Sequence, residues 1–266
     1  LLVATGGAKG QLFRVDNPAS ASRLSLSPLA TLPQRHIRAL SMRGDQIFAG
    51  TSDDAVLYQI DASGASTALF SVTTAQAPPS SSGTGGPASG PIGGPGGANP
   101  ASLLLSSDSM FGSSLAGSPQ NAPEILAVNA TSSGVYFGTS TGGSIFRWTG
   151  ENGVQTVYTA PGATAVYALA STQDGTLYAA TGDRGLVYQI KPGNNARETR
   201  VATLLEPAPQ QALSLSVSPT GELVIGTGNS AAAYRVPLAT PASGVFLSNV
   251  FDAKNVVRWG ALRVLG

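Results

Sequence analysis

The 266-residue sequence predicts an all-β chain, a β-propeller of four-stranded antiparallel blades with about five blades, from two recurring phrases and their spacing. The first phrase stands at 1–6, 47–52, 135–140, 177–182 and 223–228, each time as aliphatic or aromatic residues followed by Ala or Gly and then Thr. The second follows at 11–15, 56–60, 144–148, 186–190 and 232–236, centred on Phe13, Tyr58, Phe146, Tyr188 and Tyr234. Both are rich in β-branched and aromatic residues and bounded by Gly, Asn, Asp or Ser, which is how a strand reads. The threonines Thr5, Thr51, Thr139, Thr181 and Thr227 are 46, 88, 42 and 46 residues apart. A period of about 40–45 residues suits a four-stranded blade.

The clearest unit runs from 165 to 207. Its inner strand, 165–170, turns at Gln173-Asp174-Gly175 into a second strand, 176–181. Gly182-Asp183-Arg184-Gly185 leads to a third, 186–190, and the turn at 191–195 to an outer strand, 198–205. Gly and Asn at these turns tolerate the positive φ that hairpins need. Units at 36–73, 124–160 and 212–252 fit the same template, whereas the first copy begins directly in its second strand. The outer strand expected at 245–251 is followed by 256–264, where the rhythm calls for one more inner strand. Phe251 and Ala261 are ten residues apart, as are Tyr158 and Ala168. Two readings stand. Either 259–264 pairs with 1–5 and closes the ring, removing an exposed edge, or the chain is part of a larger propeller. Residues 253–266 are accordingly the closing strand or the start of a downstream domain, and 1–266 is otherwise a single propeller domain.

The 88-residue interval leaves an insert at about 75–123. Its first half, with Ser82-Gly83-Thr84-Gly85-Gly86-Pro87 and Pro91-Ile92-Gly93-Gly94-Pro95, holds too little apolar surface to offset the entropy of ordering. Its second half carries Leu103, Leu104, Leu105, Met110 and Phe111. These five either tuck against a blade or form a tethered docking element for a partner. The insert shares one end of the blades with the turns at Ser52-Asp53-Asp54 and Gly182-Asp183-Arg184.

Charged residues make up 11% of the chain against a typical quarter, and net charge is +1. The three lysines, Lys9, Lys191 and Lys254, are far apart, so no basic stripe exists to neutralise phosphates and nucleic acid is not expected. No apolar run is long enough to span a bilayer as a helix. With no cysteine, disulfides and thiol chemistry are excluded. Low charge with abundant Ser, Thr, Gly and Ala favours an extracellular or periplasmic setting.

Catalysis needs converging groups. His36 is the only histidine, which excludes a multi-histidine zinc site; a place in a solvated loop is expected for it. Asp53, Asp54 and Asp183 fall in equivalent turns and are weak candidates for an oxygen-donor metal site. The remaining copies have Gly7-Ala8, Thr141-Gly142 and Asn229-Ser230 there, so turn-forming aspartate is the simpler reading. No nucleophile elbow or phosphate-cradling loop is present. Asn129-Ala130-Thr131 matches a glycosylation sequon but overlaps a strand. The recurrent aromatics read as blade-to-blade core. Arg14, Gln59, Arg147, Gln189 and Arg235, which follow them, should face the other side of each sheet and pair with neighbouring backbone. Each phrase threonine should hydrogen-bond locally at its strand end.

The stretch 175–190 resembles the blades of bacterial WD40-like propeller proteins, which are multidomain and often exported. Residues 249–253 followed by 258–262 resemble the exit from such propellers into a downstream β-rich domain. The Trp-Asp and Gly-His marks of eukaryotic WD40 repeats are missing, so the motifs specify a blade and no particular partner. The resemblance implies an interaction or scaffolding role. The expectation is a non-enzymatic module without a cofactor, binding a protein or cell-envelope polymer through one ring face and the insert, as a subunit of a larger assembly. The alternative is a propeller hydrolase or lyase with an axial, carboxylate-bound metal.

Overall fold

The computed structural model describes residues 1–16, 25–72, 122–150, 153–206 and 211–239. Within them the named elements are all strands, arranged in five antiparallel sheets that follow one another along the chain. The first blade has three strands, β1 (Leu2–Ala4), β2 (Gly10–Asp16) and β3 (Ser25–Leu32). The second has β4 (Ile37–Arg43), β5 (Gln46–Thr51), β6 (Val56–Ile60) and β7 (Ser66–Ser71). The third has β8 (Ile125–Thr131), β9 (Gly134–Thr139), β10 (Ser144–Trp148) and β11 (Val154–Thr159). The fourth has β12 (Val166–Ser171), β13 (Leu177–Thr181), β14 (Val187–Lys191) and β15 (Arg200–Leu205). The fifth has β16 (Gln211–Val217), β17 (Glu222–Gly228) and β18 (Ala232–Pro237). These are the strands the repeat predicts, in the predicted up-and-down order, and the first blade indeed starts at its second strand. The segments expected at 245–251 and 253–266 lie outside the described residues, as does most of the insert, including Leu103, Leu104, Leu105, Met110 and Phe111.

Four apolar clusters occupy the four joints between successive blades. Leu12, Leu32, Ile37, Ile47 and Tyr58 fill the first joint. Phe48, Leu57, Ile125 and Phe137 fill the second, with Phe146 packed against them. Tyr136, Ile145, Val166 and Tyr188 fill the third, and Tyr178, Val187, Ala212 and Ile225 the fourth, where Tyr234 packs. Tyr58, Phe146, Tyr188 and Tyr234 thus each face the preceding blade, as expected of blade-to-blade core. Burial of one such side chain contributes about 1.5–3 kcal/mol.

The glycine before the threonine in the second and third blades is a seat for the next blade. A Cβ on Gly50 would lie 2.5 Å from Ile125 Cγ2, and one on Gly138 would lie 2.5 Å from Val166 Cγ1. Any larger side chain there would push the following inner strand away. The threonines close the turns beyond, as expected. Thr51 Oγ1 donates to the Val56 carbonyl at 3.0 Å, Thr181 Oγ1 to Leu186 at 2.9 Å and Thr227 Oγ1 to Ala232 at 3.2 Å. Arg14 and Arg147 extend Nη2 to the carbonyls of Ala62 and Asn194, 3.2 and 3.3 Å away, in the outer turn of the next blade. Arg235 instead pairs with Glu222 within its own blade.

Candidate functional site

One end of the blades carries the turns between second and third strands and the connections from blade to blade, and here the candidate aspartates lie. Asp53 and Asp183 both adopt φ of 65°, a left-handed conformation that Asp tolerates better than most residues. Asp53 Oδ2 accepts the amide of Arg35 at 3.0 Å and the Ser52 hydroxyl at 3.2 Å. Asp183 Oδ2 accepts the amide of Thr164 at 2.6 Å. Arg35 and Thr164 both belong to the connection that enters the same blade, so the two carboxylates perform one task in two copies. Ser140 Oγ accepts the Glu124 amide at 2.9 Å, as Ser52 Oγ accepts the equivalent amide of His36 in the second blade. Asp54 turns its carbonyl to the Ser71 hydroxyl at 3.2 Å. Among the described residues no three carboxylate or imidazole side chains gather as a cation site would require.

His36 is not in a solvated loop as the sequence suggested. It is half-buried and bridges to Gly6 of the first blade, where a Cβ would lie 1.9 Å from its Nδ1. Its amide donates to Ser52 Oγ at 3.1 Å and its carbonyl accepts the Ser52 amide at 3.0 Å. This histidine joins two blades.

Pattern reading missed a set of residues at the same end. Every inner strand from the second blade onward carries a β-bulge one residue after its start. The register slips between Ile37 and Ala39, Ile125 and Ala127, Val166 and Ala168, and Ala212 and Ser214. The extra residues are Arg38, Leu126, Tyr167 and Leu213. A bulge leaves its extra residue out of the ladder and re-aims the side chain, and bulges are over-represented beside functional sites. Tyr167 packs over Gly182 and Leu213 over Gly228, since a Cβ on either glycine would lie 2.8 Å from the side chain above it. Burial, and then the Asp183 carboxylate, push the Tyr167 phenol above its ordinary pKa, so it stays a neutral donor at physiological pH. Arg38 forms an ion pair with Glu124 of the next blade at 2.8 Å.

The signal for these residues was present in the repeat. Their neighbours are constant in kind: Ile, Ile, Val, Ala before and Ala, Ala, Ala, Ser after. The bulged position itself is a cation once, a phenol once and leucine twice, the widest change in chemistry along this stretch.

No family model matches the chain, and no curated protein matches it either. Solved structures do. In the crystal structure of a nidogen/laminin complex, a chain 11% identical superimposes over 91% of this chain and 75% of its own, with a TM-score of 0.56. The WD40 β-propeller domain of Doa1 does so over 89% of this chain and 61% of its own, at 9% identity and a TM-score of 0.52. The extracellular domain of BT4673 from B. thetaiotaomicron is 14% identical, with a TM-score of 0.49. The chain spans 86% of itself in that match but only 26% of the larger protein. The first two likenesses show the fold, a WD40-like β-propeller.

Proposed function

We propose that this chain is a non-enzymatic interaction module of an exported or envelope-associated bacterial protein, holding a protein or polymer partner on the end where the bulged residues lie. The observation that carries the reading is the fourfold repeat of the inner-strand bulge with Arg38, Leu126, Tyr167 and Leu213 in an otherwise constant frame. A mixed apolar and hydrogen-bonding row of this kind is what an interface anchor region needs. The insert at about 75–123, with Leu103, Leu104, Leu105, Met110 and Phe111, would add a second contact from the same end. The low charge and the abundance of small polar residues support an exported setting. A hydrolase or lyase with an axial metal draws less support, because among the described residues Asp53, Asp54 and Asp183 do not gather with one another as a cation site requires.

The test is affinity capture from the native source with the full chain, followed by direct binding of the captured partner. Tyr167→Ala combined with Leu213→Ala should weaken that binding at least tenfold, about 1.4 kcal/mol. Equal binding by the double variant would remove the bulged residues from the interface.

A further inference from the structure

At the opposite end of the blades, the hairpins joining first and second strands meet in pairs, and two neighbouring joints differ. Between the second and third blades the gap is spanned. Arg43 Nη1 donates to the Thr131 carbonyl at 3.1 Å, and the guanidinium carbon lies 5.2 Å from the centre of the Phe48 ring. Below it, Ser41 Oγ accepts the amide of Ala130 at 2.9 Å. The third blade carries the corresponding residues one joint further on. Thr131 stands eight residues before Thr139 as Arg43 stands eight before Thr51, and Asn129 and Ser41 each stand ten before. The short side chain of Thr131 cannot span as Arg43 does, and a groove of about 500 Å³ is left between the β8–β9 and β12–β13 hairpins.

We propose that this groove is a binding site for a neutral saccharide chain, independent of the interface assigned to the other end. Its walls are Thr131, Ser132 and Ser133 on one side and Thr172, Gln173 and Asp174 on the other. The hydroxyls of Thr131, Ser133 and Thr172 bond within the chain, which leaves the Ser132 hydroxyl and the Gln173 carboxamide, groups that both donate and accept, to match a ligand made of hydroxyl groups. The lining holds no cation, and Asp174 is its one charged group. Thr172 and Thr176 hydrogen-bond to the Asp174 carboxylate and favour its ionised form, which would repel phosphate or carboxylate ligands. No aromatic or large aliphatic side chain lines the groove, so an apolar ligand gains little there. The groove is open rather than enclosed, as suits a chain that passes through.

The experiment uses the 266-residue chain with chitohexaose, cellohexaose and maltohexaose as probes, read by calorimetry and by saturation-transfer NMR. At least one should bind, and Thr131→Arg should weaken it at least tenfold by rebuilding the bridge that Arg43 makes one joint earlier. Ser132→Ala with Gln173→Ala, which removes donors without filling the space, should weaken it at least threefold and decides the matter if Thr131→Arg fails to fold. The proposal is overturned if none of the three probes binds. It is equally overturned if the variants bind as the parent does, or if a sulfated heparin hexasaccharide binds in their place.

Discussion

The carboxylate of Asp53 accepts the backbone amide of Arg35 at 3.0 Å, fastening the turn after β5 to the connection that leads into β4. Asp183 and Thr164 repeat the arrangement two blades later, at 2.6 Å. Both aspartates hold a left-handed backbone, so the same residue supplies the turn conformation and the clasp.

Removing this clasp should cost stability in a graded way. Asp183→Ala loses the bond and puts at φ of 65° a residue that tolerates the left-handed conformation less well than Asp does, for a loss of about 1–3 kcal/mol. Asp183→Asn keeps an acceptor and a residue that tolerates the conformation, and should lose less. Urea denaturation of both variants checks the order; an alanine variant as stable as the asparagine one would contradict it.

Because no three carboxylate or imidazole side chains gather among the described residues, divalent cations should not stabilise the fold. Calcium, magnesium or zinc at about 1 mM should leave Tm unchanged within error, since any ion bound to the native state would raise it by mass action. A metal retained in stoichiometric amount after dialysis, measured by elemental analysis, would contradict this.

Phe137 is fully buried at the joint of the second and third blades, 5.3 Å from Phe146 and 5.5 Å from Phe70 between ring centres. Phe137→Ala should destabilise by about 3–5 kcal/mol through lost burial and the cavity left behind. Chemical denaturation measures it, and a loss near that of a surface substitution would show that this joint does not carry the core.

Hydrogen bonds from the Thr172 hydroxyl first, and then from the Thr176 amide and hydroxyl, hold Asp174 below the ordinary carboxylate range. The folded chain therefore binds that proton more weakly than the unfolded chain does. Stability from this turn is fully present above the ordinary carboxylate range and is lost as pH falls through and below it. Asp174→Ala should flatten the acid side of a plot of urea midpoint against pH. Parallel curves for variant and parent would refute the assignment.

Replacing 75–121 with six residues of Gly and Ser should leave the blades folded. Four residues lie between β3 and β4, and six between β11 and β12, so a short connection spans the equivalent path elsewhere. Phe70 of the second blade packs against Phe137 and Phe146 of the third. Closing a shorter loop should add roughly 1 kcal/mol. A shortened chain that melts well below the parent would mean that the insert supports the ring.

The amino-acid sequence alone determined the strands, their order and the aromatic core, because those depend on local alternation and on a repeat that anyone can align. It also revealed that Asp53 and Asp183 sit in equivalent turns, and that the threonines end their strands. What it could not reveal was set by contacts between residues far apart in the chain. The partners of Asp53 and Asp183 are amides 18 and 19 residues away, and the bridge from Arg43 reaches a carbonyl 88 residues on. The bulges were hidden for a related reason. Strict alternation puts Ile37 and Leu40 on opposite faces, yet both pack in the first joint, because the unpaired Arg38 resets the register. Val166 and Leu169 repeat this in the third joint. Where a strand slips is decided by the pairing of two strands and by the blade that must fit against them, and only the folded chain holds that information.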